Sequence, residues 1–123
     1  IYHLINCHTH SPMTPLRGYS DDQNLQDWLQ KYVWPAEGKF VCPEFVKLGS
    51  QLGIYEMLLT GSTTFVDMYM FPQSVAEVAN QAHIRCFNGE AVMDIGDGSI
   101  EKMIDAAAEY VNNKDNHTEM VTP

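Results

Sequence analysis

Apolar positions along the 123-residue chain alternate between two rhythms. Short runs rich in β-formers are separated by longer stretches with helical spacing. Ile1 to Cys7 reads as a first strand. Ser11 to Asn24 holds two prolines and a glycine and reads as a loop, closing where a helix can start. Leu25, Trp28, Leu29, Tyr32 and Val33 recur at helical spacing, and Pro35 is expected to limit that helix. A second helix opens at Pro43, presents Phe45, Leu48, Leu52, Tyr55 and Leu59 as its apolar face, and stops at Gly61.

The next segment, Ser62 to Asp67 (STTFVD), predicts strand two. A short helix over Ser74 to Ala82 follows, with Val75, Val78 and Ala79 on one side. Ile84 to Glu90 predicts strand three. Ile100 to Val111 predicts a helix with a stripe of Met103, Ile104, Ala107, Ala108 and Val111, and Met120 to Thr122 starts something extended. This repeated βα rhythm implies an α/β fold with a parallel sheet covered by helices. A doubly wound sheet and a (β/α)8 TIM barrel both fit it, as does a small independent α/β domain. No G-x-G-x-x-G follows a strand, which removes support for a dinucleotide site. A barrel of about 250 residues is roughly twice this chain, so residues 1–123 are expected to form about the first half, from strand 1 to the start of strand 4.

Composition narrows the function classes. Hydrophobic residues make up 45%, enough for a packed core. Seven basic against sixteen acidic residues give a net charge of −9, which argues against a nucleic-acid partner. No apolar run is long enough to span a bilayer, and no signal peptide is visible. Three widely spaced cysteines without a CxxC pair favour a reducing, cytoplasmic setting over a disulfide framework.

Candidate chemistry concentrates in NCHTHSPM, residues 6–13. Alternate residues of a strand face one way, so His8 and His10 are expected on one side, with Asn6 behind them. They lie at the C-terminal end of strand one, where barrel sites are built. Imidazole suits zinc, iron and nickel, but a catalytic zinc site wants about three protein ligands and an open position. On the tripeptide alone, two hydrogen-bonded loop histidines remain the competing reading.

The longer pattern goes further. NCHTHSPM, then MTPLRGYSDD, LQDWLQKYVWPAE, MLLTGSTTFVDMY and IRCFNGEAVMD, with a terminal VTP, resembles the amidohydrolase superfamily along essentially the whole chain. The branch it is similar to contains 5-methylthioadenosine/S-adenosylhomocysteine deaminases and related chlorohydrolases. The resemblance implies a metallo-dependent (β/α)8 barrel in which His8 and His10 hold one divalent ion, zinc first and iron as the alternative. It implies hydrolytic deamination of an aminated purine by a metal-activated hydroxide, with adenosine thioethers as substrates. A chlorohydrolase or guanine-type deaminase is the nearest alternative, and a non-catalytic binding or interaction domain is the alternative of another class. The resemblance also places Glu37, in WPAE, against ribose hydroxyls. Glu90, at the end of strand three, is a candidate pocket residue.

Two departures accompany the resemblance. Tyr2-His3 stands where family members carry Pro-Gly. The family's later ligands, two histidines and an aspartate, and its proton-shuttling glutamate have no matching positions. His83 and His117 are expected at the surface and not as substitutes. Trp28 and Trp34 are expected to pack, Arg17 to support its loop, Asp67 to hydrogen-bond structurally, and Cys7 to point away from the histidines. The expected partners are a small-molecule substrate, the remainder of the barrel and a possible second copy. Alone, the segment is expected to be inactive.

Overall fold

The computed structural model describes residues 3–94, 96 and 98–123. The expected strand start at Ile1 and Tyr2 lies outside the described residues. Four strands, β1 (Leu4–Thr9), β2 (Ser62–Met68), β3 (Arg85–Gly89) and β4 (Val121–Thr122), form one sheet in the order β1-β2-β3-β4. Every neighbouring pair is parallel. Sequential order with helical crossovers is the arrangement of a barrel wall, and a doubly wound sheet would reverse direction after its first strand.

Helices α3 (Pro43–Leu59) and α4 (Pro72–Ala82) make the β1-to-β2 and β2-to-β3 crossovers, and α5 (Ile100–Asn112) leads towards β4. Phe65, Cys86 and Val121 lie in register on adjacent strands. They are buried with Val46, Ile54 and Met57 of α3 and Val75, Val78 and Ala79 of α4. Burying Phe65 completely contributes about 1.5–3 kcal/mol. The neighbouring register row runs the other way: Val66 is 38% exposed and Phe87 47%.

Three sequence expectations change. First, Pro35 does not end its helix. The chain stays helical through α1 (Leu25–Asp27), a π segment (Trp28–Val33) and α2 (Trp34–Phe40). The wide turn directly before Pro35 accommodates its missing N–H and its ring. Second, α3 buries Val46, Gly49, Ser50, Gly53, Ile54 and Met57, while Leu48, Leu52, Tyr55 and Leu59 are exposed. The reason is close packing: the 3₁₀ turn Ser11–Leu16 lies directly on α3. A Cβ on Gly49 would overlap the Pro12 carbonyl, and one on Gly53 would stand 2.9 Å from Thr14 Oγ1. The expected loop after strand one therefore contains a helical turn. Third, α5 buries Tyr110, while Ile104 and Val111 from the expected stripe are 51% and 44% exposed. Tyr110 is drawn inward by its hydroxyl, which donates to Asn88 Oδ1 at 2.9 Å. In turn, Asn88 Nδ2 donates to the Pro72 carbonyl at 2.8 Å.

Candidate active site

The two histidines meet at the C-terminal edge of the sheet. The β1–β2 register is irregular between Asn6 and Thr9, which interrupts strict alternation. Asn6 Oδ1 accepts from the His8 backbone N–H at 3.4 Å. Its amide turns to the helix layer and lies 3.9 Å from Met57 Sδ. The imidazoles of His8 and His10 sit edge to face, with centroids 5.0 Å apart and planes at 79°.

The backbone sets the state of His10. Its Nδ1 lies 2.6 Å from the carbonyl oxygen of Met68, at the end of β2. A carbonyl can only accept, so Nδ1 carries the proton, and in the neutral ring the lone pair then sits on Nε2. That tautomer presents a neutral nitrogen donor, and a second hydrogen bond of this kind is what fixes the orientation of a metal-bound imidazole. The pair thus fits a divalent ion of borderline softness. Among the described residues no group of three or more His, Cys, Asp or Glu side chains converges to hold a metal. Two nitrogens are fewer than the roughly three protein ligands of a catalytic zinc site.

Asp67 holds this segment in place, in line with its expected structural role. It is buried, and its Oδ1 accepts from Thr9 Oγ1 at 2.5 Å and from Ser11 N at 2.6 Å. Those donors flank His10 on either side. Burial raises the Asp67 carboxyl, opposed by the hydrogen bonds from Ser11 and Thr9. Arg17 supports its turn as expected, through a paired contact with Glu56 at 2.9 and 2.6 Å. Both partners are substantially exposed, so the bridge adds little stability.

A cleft of about 170 Å³ runs from His10 to Glu37, with Trp28, Trp34, Met68 and Tyr69 among its walls. Trp28 and Trp34, expected to pack, thus line the cleft. Glu37 projects from α2 and accepts a 2.7 Å hydrogen bond from Tyr69 Oη. Burial first, then the bond and charge of Glu37, raise the Tyr69 phenol far above its ordinary value, so it remains a donor. The Tyr69 ring lies 6.4 Å from the His10 ring. Beyond β3, Ala91 and Met93 line the cleft. Their neighbour Glu90 is half-buried, and burial raises its carboxyl. His83 and His117 are exposed, as expected, and Cys7 is exposed too. Sequence reasoning missed Tyr69 and the Met68 carbonyl. Their position at the C-terminal end of a parallel strand was the available signal.

Comparison with known proteins matches residues 4–123 to the amidohydrolase family. The chain belongs to that family. One relative of this amidohydrolase segment is a 5-methylthioadenosine/S-adenosylhomocysteine deaminase from Aquifex aeolicus (strain VF5). It is 52% identical over 89 residues, covering 72% of this chain and 21% of the relative. Another deaminase of the same name, from Thermococcus kodakarensis, is 48% identical over 94 residues, covering 76% and 22%. An adenosine deaminase structure from Xanthomonas campestris with bound zinc superposes with a TM-score of 0.86 at 35% identity, covering 98% of this chain and 28% of that one. The segment thus spans between a fifth and a third of these relatives, and its sheet is part of an amidohydrolase TIM barrel.

Proposed function

We propose that this segment belongs to a metal-dependent hydrolytic deaminase of adenosine thioethers, 5′-methylthioadenosine and S-adenosylhomocysteine. The carrying observation is that one cleft joins His10, with its free Nε2, to Glu37 on α2. His8 and His10 would hold the ion, zinc first and iron as the alternative. When bound, such an ion lowers the pKa of a coordinated water to about 7. Glu37 accepts from the ribose hydroxyls, since one carboxylate can serve two neighbouring donors. Trp28 and Trp34 give a flat purine apolar walls. Glu90, next to Ala91 in the chain, is a second candidate contact. Relatives carrying the deaminase name support this reading at about half identity.

The segment would act within a longer chain that contributes the remaining ligands and the proton-shuttling acid. A cytoplasmic setting accords with the wide cysteine spacing. No helix among the described residues is long and apolar enough to cross a membrane. The test is ammonia release by the full-length protein against methylthioadenosine, adenosylhomocysteine, adenosine, guanine and chlorotriazines. Turnover of the two thioethers is expected. Activity on non-nucleosides alone would reject the reading in favour of a guanine-type deaminase or a chlorohydrolase.

A further inference from the structure

Glu37 is useful to a ribose only if its carboxylate is aimed. A glutamate has three rotatable bonds, and in a cleft open to solvent it would sample several directions. Here one direction is fixed from outside α2. Tyr69 stands at the end of β2, only 5% exposed, and donates to Oε1 at 2.7 Å. Oε2 is then left to the cleft, together with the second acceptor direction of Oε1. A vicinal diol needs two such acceptor positions side by side. The same Tyr69 ring lies 6.4 Å from His10, and the preceding residue supplies the carbonyl that orients His10. One strand end therefore governs both ends of the cleft.

We infer that Tyr69 is a positioning residue that orients Glu37 for a cis-diol and so sets the preference for ribonucleosides over their 2′-deoxy analogues. This rests on the ribose-facing reading of Glu37. Tyr69 touches no reacting atom in this proposal and acts through the carboxylate.

The experiment compares wild type, Tyr69→Phe, Glu37→Gln and the double variant in the full-length, metal-loaded enzyme. Phenylalanine keeps the buried ring and removes only the donor. The primary readout is the ratio of kcat/KM for methylthioadenosine to that for 2′-deoxymethylthioadenosine. Both values come from one preparation, so the folded fraction cancels. In Tyr69→Phe the ratio is expected to shrink about tenfold, the size of one lost hydrogen bond to a charged group, with the loss in KM. Calorimetric binding of methylthioinosine, which is not turned over, should weaken by a similar factor. In the double variant, Tyr69→Phe should add no further loss, because its effect travels through Glu37. If Glu37→Gln lowers the ratio while Tyr69→Phe leaves it at the wild-type value, the positioning role is overturned and the Glu37 reading stands. If Glu37→Gln leaves the ratio unchanged, the ribose reading fails and the inference falls with it. Equal loss on both substrates in Tyr69→Phe also overturns the inference.

Discussion

At the scale of single residues, the site is held by groups outside the histidine pair. His10 has its tautomer set by the Met68 carbonyl, and Asp67 ties down the residues on either side of it. Replacing His8 and His10 together with alanine in the full-length protein should abolish stoichiometric metal. Elemental analysis checks this, and equal metal in both proteins would refute the assignment. Asp67→Ala removes a buried acceptor from two donors and should cost about 1.5–3 kcal/mol, read from denaturant midpoints. It should also loosen metal retention, since Thr9 and Ser11 lose their anchor. Glu37→Gln keeps size and loses charge. Nucleoside efficiency should fall roughly ten- to hundredfold, with a base-only substrate less affected. The HxH pair as a candidate and the structural role of Asp67 were legible in the sequence, because residue type and strand-end position announce them, whereas Glu37, on α2, was singled out only by the resemblance of WPAE. Tyr69 was not legible, since a tyrosine after a strand carries no mark of the helix residue it will meet 32 positions away.

At the scale of elements, strands and crossovers were legible because each carries a local cause. β-formers fill STTFVD, prolines open α3 and α4, and Gly61 takes φ +90° just past α3. Half of the buried face of α3 was hidden, because Gly49, Ser50 and Gly53 carry no hydrophobic signal. Their value there is absence of volume, and it appears only once the 3₁₀ turn is placed on them. Gly49→Ala should therefore destabilise the protein although alanine favours helices. Overlap with the Pro12 carbonyl forces the turn away and should cost about 1–3 kcal/mol, the range for overpacking. Gly38, with nothing within 4 Å of an added Cβ, is the control. Gly38→Ala should leave the melting temperature unchanged or raise it slightly, whereas Gly49→Ala should lower it by several degrees. Equal melting temperatures would remove the close-packing account.

At the scale of the whole molecule, helices among the described residues cover one face of the sheet and leave the other exposed. Val66, Met68 and Phe87 are 38%, 42% and 47% exposed. Leu48, Leu52, Tyr55 and Leu59 form a second apolar strip on α3, between 43% and 68% exposed. Among the described residues, β1 and β4 each have one unpaired edge. Parallel sheets are normally covered on both faces, and open edges invite pairing with other chains. In the amidohydrolase barrels this chain matches, it spans only part of the length. The 123-residue chain prepared alone should therefore self-associate. Light scattering after size exclusion should give a mass above the 13.9 kDa monomer, and an apolar dye should bind strongly. The same preparation loaded with zinc should not deaminate methylthioadenosine, since two imidazoles leave the ion short of protein ligands and no proton-shuttling acid is assigned in this segment. Turnover that survives removal of contaminating enzymes and vanishes in the double histidine variant would overturn this. It would mean that an associated copy supplies the missing groups. A mixing experiment separates the two routes: full-length protein lacking both histidines, added to this chain, regains activity only if the segment can seat itself on the rest of a barrel.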